Sequence, residues 1–338
     1  MATTGWDNTL VGADAGRTMV SGAHNTLIGS NAGSVLTNGF SNTMVGYSAG
    51  RSLTTGNANV GLGIYAGGAN TTGNSNIAIG TYSGYAATGG NQNIAIGHSA
   101  GYWNTTANNN IAIGTNAGYQ NNNGTANISI GENAGQWNNS ANEIIVIGQN
   151  AGRFNTASRN TFIGASAGGA NTTGQFNTFL GPYSGAANNN ASTIPSLGCY
   201  AGQSNTTGAV NTFVGVSAGQ ANTTGAENTF VGVSAGLNTT TGSFNTFLGR
   251  SAGRLNTTGT DNVFVGPTAG YSNTTGVQNT IVGRNAGVNS NGSQNTLLGH
   301  NVAAAMTTGA ANTLLGYQAA GQHHRYEQHL CGGRRWLQ

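Results

Sequence analysis

Polar and apolar residues alternate over short stretches of this chain, and the alternation returns every 17 residues. The stretch Asn211 to Gly225, NTFVGVSAGQANTTG, shows it most plainly. Numbering the unit 1 to 17 from its Asn, the Gly at position 5 recurs from Gly12 to Gly316 and marks nineteen units. Position 1 is Asn except at Ile144 and Ile194, position 4 is always Val, Ile or Leu, and position 8 is Ala or Ser except at Val302. NTFVG alternates in the sense of a strand. The units reading NIAIG and NISIG set Ile at positions 2 and 4 around a small residue, which places positions 2 and 4 inward and position 3 outward. Position 8 is a second inward contact, and Gly at position 9 supplies a turn with positive φ. The segment at positions 12 to 15, NTTG, is a third corner, because the two 16-residue units (Gly148 to Gly164 and Gly283 to Gly299) are one residue short there. A corner absorbs a change of length that a strand ladder does not.

Self-similarity at one period is the mark of a stacked repeat protein. Seventeen residues are too few for a helical hairpin, and the AG and NTTG corners break a helix at every turn. The predicted fold is therefore all-β: a parallel β-solenoid, or β-roll, of about nineteen 17-residue coils. At about 4.8 Å per coil it makes an elongated rod on the order of 90 Å long. Residues 1–321 form the repeat array, and 322–338 a non-repeat, disordered tail.

Composition fits that geometry. Charged residues are 5% of the chain and Lys is absent, against about 25% charged in ordinary domains. In-register stacking sets like residues about 5 Å apart, where like charges repel and Asn side chains join into hydrogen-bonded ladders. A net charge of +3 is too sparse for a nucleic-acid footprint. The longest apolar runs fall far short of a membrane span, and Met1 to Gly5 does not read as a signal peptide. The two Cys, Cys199 and Cys331, define no disulfide framework.

With position 3 outward, Phe162, Phe179, Phe213, Phe230, Phe247 and Phe264 form an apolar stripe that reads as a self-association surface. Leu10, Leu27 and Met44 begin the stripe, and it shrinks to Gly61, Ala78, Ala95, Ala112 and Ser129 before the Phe residues. In unit twelve, Ile194 replaces the ladder Asn and Pro195 removes a backbone donor, which predicts a local bulge and early proteolysis near Asn188 to Pro195.

Little in the chain looks like reaction chemistry. Gly61-Leu62-Gly63-Ile64-Tyr65-Ala66 matches a dinucleotide-binding fingerprint, yet its Gly63 and Ala66 fall on the repeat's own positions 5 and 8, and no helix is expected after it. Asp7, Asp14, Glu132, Glu143, Glu227 and Asp261 belong to no recurring column and read as solvated surface groups. His24, His98 and His300 occupy variable positions and read as isolated surface histidines. Tyr85, Tyr102, Trp103, Tyr119 and Trp137 gather at positions 10 and 11 of neighbouring units. Corner packing is the first reading of that group, and a glycan-stacking strip the second. No catalytic group, cofactor or metal ligand set emerges, so the expectation is a protein that is not an enzyme.

The pattern N-T-x-V-G-x-x-A-G-x-x-N-T-T-G, carried from Thr3 to Ala320, resembles repeats of phage-tail-fibre-like and bacterial surface proteins. It is similar to the head repeats of trimeric autotransporter adhesins, whose coils are usually shorter. The resemblance implies a trimeric β-solenoid shaft or head, extracellular at a cell surface or on a virion, that contacts a host cell, matrix or glycan receptor. The expected function is that of a non-enzymatic structural or adhesive fibre element, without nucleic-acid partners or a membrane span. The alternative is an ice-binding solenoid that uses ranks of Thr and Asn.

The tail Gln322 to Gln338, QHHRYEQHLCGGRRWLQ, reads as the repeat out of frame. Allowed codons for it, shifted by one base, spell NTTGTNNTFVGAGAGY, which runs through positions 12 to 17 and then 1 to 10 without a mismatch at any defining column. A frameshift, natural or introduced in sequencing, is the expectation, and the tail's His and Cys are not expected to bind metal.

Overall fold

The computed structural model describes residues 4–320. It is a parallel β-solenoid with nineteen three-residue strands, one per coil, and no helix among the described residues. The chain divides after Thr173 into two compact units. The first carries β1 (Thr9–Val11) to β10 (Thr161–Ile163), and the second β11 (Thr178–Leu180) to β19 (Thr313–Leu315). The tail assigned to 322–338, with its proposed frameshift, lies outside the described residues.

Within each unit a coil bonds to the coils on either side. Thr229 N donates to the Asn245 carbonyl at 2.8 Å, and Gly232 N to the Val214 carbonyl at 2.7 Å. Register is in step, as in the pairs Thr229↔Thr246, Phe230↔Phe247 and Val231↔Leu248. The corners need special backbone. Position 5 takes an extended positive φ, +129° at Gly215, where a Cβ would stand 2.6 Å from the Gly232 carbonyl oxygen. Positions 7 and 17 are left-handed even for bulky residues, including Val210 at φ 58° and Phe244 at φ 59°.

The direction of the strand side chains reverses the expectation. Phe162, Phe179, Phe213, Phe230, Phe247 and Phe264 are wholly buried, while position 2 and position 4 residues such as Thr246 and Leu248 face out. The Phe column is therefore the core and not a self-association stripe. The reason is the period of two along a strand: once the Asn at position 1 turns inward, position 3 must follow, and positions 2 and 4 must turn out. In the second unit the rings stack like the strands. Phe230, Phe247 and Phe264 lie 4.8 Å centroid to centroid at 6°, which is the strand spacing itself. Gly236 at position 9 meets the Phe230 ring, where a Cβ would come within 2.5 Å.

Asn supplies the polar half of the core. Asn245 is buried, and its Nδ2 donates to Asn228 Oδ1 at 3.1 Å and to the Gly259 carbonyl at 2.9 Å. Its Oδ1 accepts from both the backbone N and Nδ2 of Asn262, each at 3.1 Å. Every hydrogen-bonding site of the amide that the coil buries is thus met, which is what allows a polar column inside a protein. This column is structural, as the composition suggested.

Both short units keep their strands in register, at β9 (Ile145–Ile147) with β10 and at β17 (Thr280–Val282) with β18 (Thr296–Leu298). In the second case Asn291 compensates at the corner: its Oδ1 accepts from the backbone N of Thr274 at 2.8 Å and of Thr275 at 3.0 Å. The bulge expected at unit twelve is not there. The strand β12 (Pro195–Leu197) pairs in step with β11, and Ile194 is buried, donating its backbone N to Asn177 Oδ1 at 3.0 Å. Proline at position 2 forfeits only the one bond that Thr makes there.

Candidate functional site

The aromatic residues singled out in the sequence come together on the first unit, where the turn spanning positions 5 to 11 brings column 7 beside column 10. Tyr85, Tyr102 and Tyr119 follow one another at 5.1 and 5.2 Å between centroids, with Trp103 at 5.2 Å from Tyr102 and Trp137 at 6.4 Å from Tyr119. The ladder is longer than the sequence reading. Tyr47, Tyr65 and Tyr82 extend it, Tyr65 and Tyr82 stacking at 5.3 Å and 9° and Tyr82 meeting Tyr85 edge-on at 5.6 Å. Those three stand at positions 6 and 7, and only the turn makes them neighbours of position 10. Arg51 completes the patch: its Nη2 donates to the Tyr85 hydroxyl at 2.8 Å, and its guanidinium lies 5.1 Å from the Tyr65 ring centre.

Tyr47, Trp103 and Trp137 are well exposed, while the remaining Tyr rings are half-buried against each other. The Tyr65 hydroxyl is held above its ordinary pKa, first by its hydrogen bond with Tyr47 and then by burial. Burial raises Tyr102, with Tyr85 and Tyr119 adding to it. At neutral pH the Tyr65 and Tyr102 hydroxyls therefore keep their protons, and Arg51 adds one cation to the ladder. Such a strip can stack on an apolar ring face and hydrogen-bond to hydroxyls.

The second surface is the outer face of the strands. In the second unit, apart from Pro195 and Val263, it is Thr at position 2 beside Val or Leu at position 4, as at Thr212 and Val214, Thr229 and Val231, Thr246 and Leu248. In the middle of the first unit both positions are Ile, from β5 (Ile77–Ile79) to β7 (Ile111–Ile113). Neither column holds a charge. The NTTG Thr differ: Thr223 and Thr240 donate their hydroxyls to the carbonyl of the next coil, at 3.0 and 3.2 Å, and so serve the stack.

The remaining chemistry-bearing residues stay apart. Glu143 pairs with Arg159 at 3.1 Å, and Glu132 accepts from Gln149 at 3.0 Å. His24 packs on Trp6 at 4.3 Å, and His300 stacks on Tyr317 at 5.4 Å. Among the described residues no three His, Cys, Asp or Glu are placed to share a metal ion. Gly61 to Ala66 forms the end of β4 (Val60–Leu62) and a turn with no helix behind it, so the fingerprint's anion-binding helix terminus is missing. No helix among the described residues is long and apolar enough to cross a membrane.

Comparison with protein-family models, with curated proteins and with solved structures finds no match.

Proposed function

We propose that this chain is a non-enzymatic structural and adhesive fibre element, displayed on a cell or virion surface, whose receptor contact is the aromatic ladder from Tyr47 to Trp137. The observation that carries the reading is the ladder itself. A coil needs no aromatic at positions 7, 10 and 11, because most coils of the second unit place none there. Six successive coils of the first unit nevertheless hold partly exposed rings in contact, with Arg51 hydrogen-bonded among them. Sugars are the ligand class such a strip fits, since ring faces stack on their C–H faces while hydroxyls and a guanidinium meet their oxygens. Homo-oligomerisation belongs to the same proposal, with the interface moved from the buried Phe column to the uncharged outer strand face. Binding of the protein to immobilised glycans and to host-cell surfaces tests the reading. Trp103→Ala with Trp137→Ala should abolish binding and leave the fold intact, and binding that survives the double change contradicts it.

A second reading, ice binding, is favoured by one observation: position 2 Thr hydroxyls and methyls face out on a regular strand face, in step with position 4 aliphatics. Its ranks are Thr-x-Val on the strands, because the position 13 Thr of the corner already spend their hydroxyls on the stack. Thermal hysteresis that disappears in Thr229→Tyr supports this reading, and its absence from the wild type removes it.

A further inference from the structure

The Phe column does not continue through the first unit, and its interruption leaves an internal space with unmet polar atoms. Position 3 is Ala112 and Ser129 in two successive coils, and a cavity of about 10 Å³ opens beside them, lined also by Asn110, Asn127, Asn104 and Asn121. Asn104 and Asn121 are 6% and 4% exposed, yet the Oδ1 of each has no hydrogen-bond partner. The orientation of Asn121 is fixed by its neighbour. Its Nδ2 donates to the Gly124 carbonyl at 3.1 Å, and a carbonyl can only accept, so Oδ1 is the atom left over. Elsewhere in the same column the oxygen finds a backbone donor three residues on, as at Asn70 with Gly73 N at 2.9 Å and Asn138 with Ala141 N at 3.1 Å.

An unmet buried acceptor has lost the hydrogen bonds that water gave it in the unfolded chain and gained none in return. Orphaned oxygens of this column also occur at Asn222 and Asn273, but in Asn222's coil the position 3 ring of Phe213 fills the space that Ala112 leaves open. What distinguishes coils six to eight is the coincidence of two such oxygens with room beside them.

We propose that this cavity is a binding site for one ordered internal water, which donates its two protons to Asn104 Oδ1 and Asn121 Oδ1. The volume suits a single water. The ligand must be a donor, because both open groups are acceptors. It is neutral, because no carboxylate lines the space to offset the dehydration of a cation.

The test compares the wild type with Ala112→Leu/Asn121→Leu, which copies the dry pairing of Leu27 with Leu36 in the second coil. In the wild type, magnetisation transfer from a long-lived internal water to the amides of coils six to eight is expected. In the double variant the water signal should vanish, while amide protection of the flanking Asn column persists. No long-lived water beside a folded wild-type array, or a water signal unchanged in a folded double variant, overturns the proposal. If the double variant does not fold, the wild-type water measurement decides alone.

Discussion

Phe230 and Phe247, 17 residues apart in the chain, lie face to face at 4.8 Å with their planes 6° from parallel, both wholly buried. This column, repeated at the strand spacing and joined by the buried Ala of position 8, makes the apolar core of the second unit. Phe247→Ala should cost about 3–5 kcal/mol in chemical denaturation, the range for removing a buried ring, whereas Phe247→Leu should cost much less, since Leu297 fills the same position in a later coil. Sedimentation of the folded fraction should not change in either variant. An Ala variant that unfolds like the wild type but dissociates would restore the outward reading of the column.

The polar column should be as sensitive. Asn245→Ala removes the acceptor for Asn262 N and Nδ2 and the donor for Gly259, which leaves three buried groups unmet. A loss of several kcal/mol is expected, at about 1–3 kcal/mol per group with partial relief from water. Asn245→Asp adds a sign. Burial raises a carboxyl's pKa, so the folded variant favours the protonated form; its stability is highest at acid pH and falls as pH rises through the folded value. Stability of that variant measured from pH 3 to 8 checks it.

Much of this was legible in the sequence. The period, the strand at NTFVG, the corners and the parallel stack follow from the spacing of Gly and Asn, and the short units indeed lose their residue at the third corner. The inside and outside of the strand were not legible from aliphatic constancy. Position 4 is invariably Val, Ile or Leu because such residues suit an exposed pleated face as well as a core, and Gly61 to Ser129 made position 3 look dispensable. The Asn ladder held the answer: a column that hydrogen-bonds coil to coil must be shielded from water, and position 3 lies on its side of the strand. The aromatic strip was half visible. Tyr85, Tyr102, Trp103, Tyr119 and Trp137 share neighbouring positions, but Tyr47, Tyr65, Tyr82 and Arg51 join them only through the fold of the turn.

Position 17 offers a gain in stability. Val210 is 57% exposed with φ at 58°, a conformation that penalises a β-branched residue and suits Asn or Gly. Val210→Asn should raise stability by about 1 kcal/mol, read as a shift in the denaturation midpoint with an unchanged slope. An equal or lower midpoint contradicts the strain assigned there.

The raised hydroxyls of Tyr65 and Tyr102 predict an alkaline transition. Because the folded state holds these protons more tightly, their contribution is fully present below the ordinary Tyr pKa of about 10 and is lost as pH rises through the folded values. Ultraviolet titration of tyrosinate should show a late component that Tyr102→Phe diminishes, and a single titration at the ordinary value would count against the burial described.

The inward turn of positions 1 and 3 and the outward turn of positions 2 and 4 set both the buried core and the outer strand face, and thiol labelling reads it directly. In a Cys199→Ser/Cys331→Ser background, single Cys replacements at Thr229, Phe230 and Val231 place one thiol at each successive strand position. Under native conditions Cys at 229 and 231 should react at rates near those of a free thiol, and Cys at 230 only through unfolding, slower by orders of magnitude. Fast labelling at 230 with protection at 229 and 231 would contradict the account.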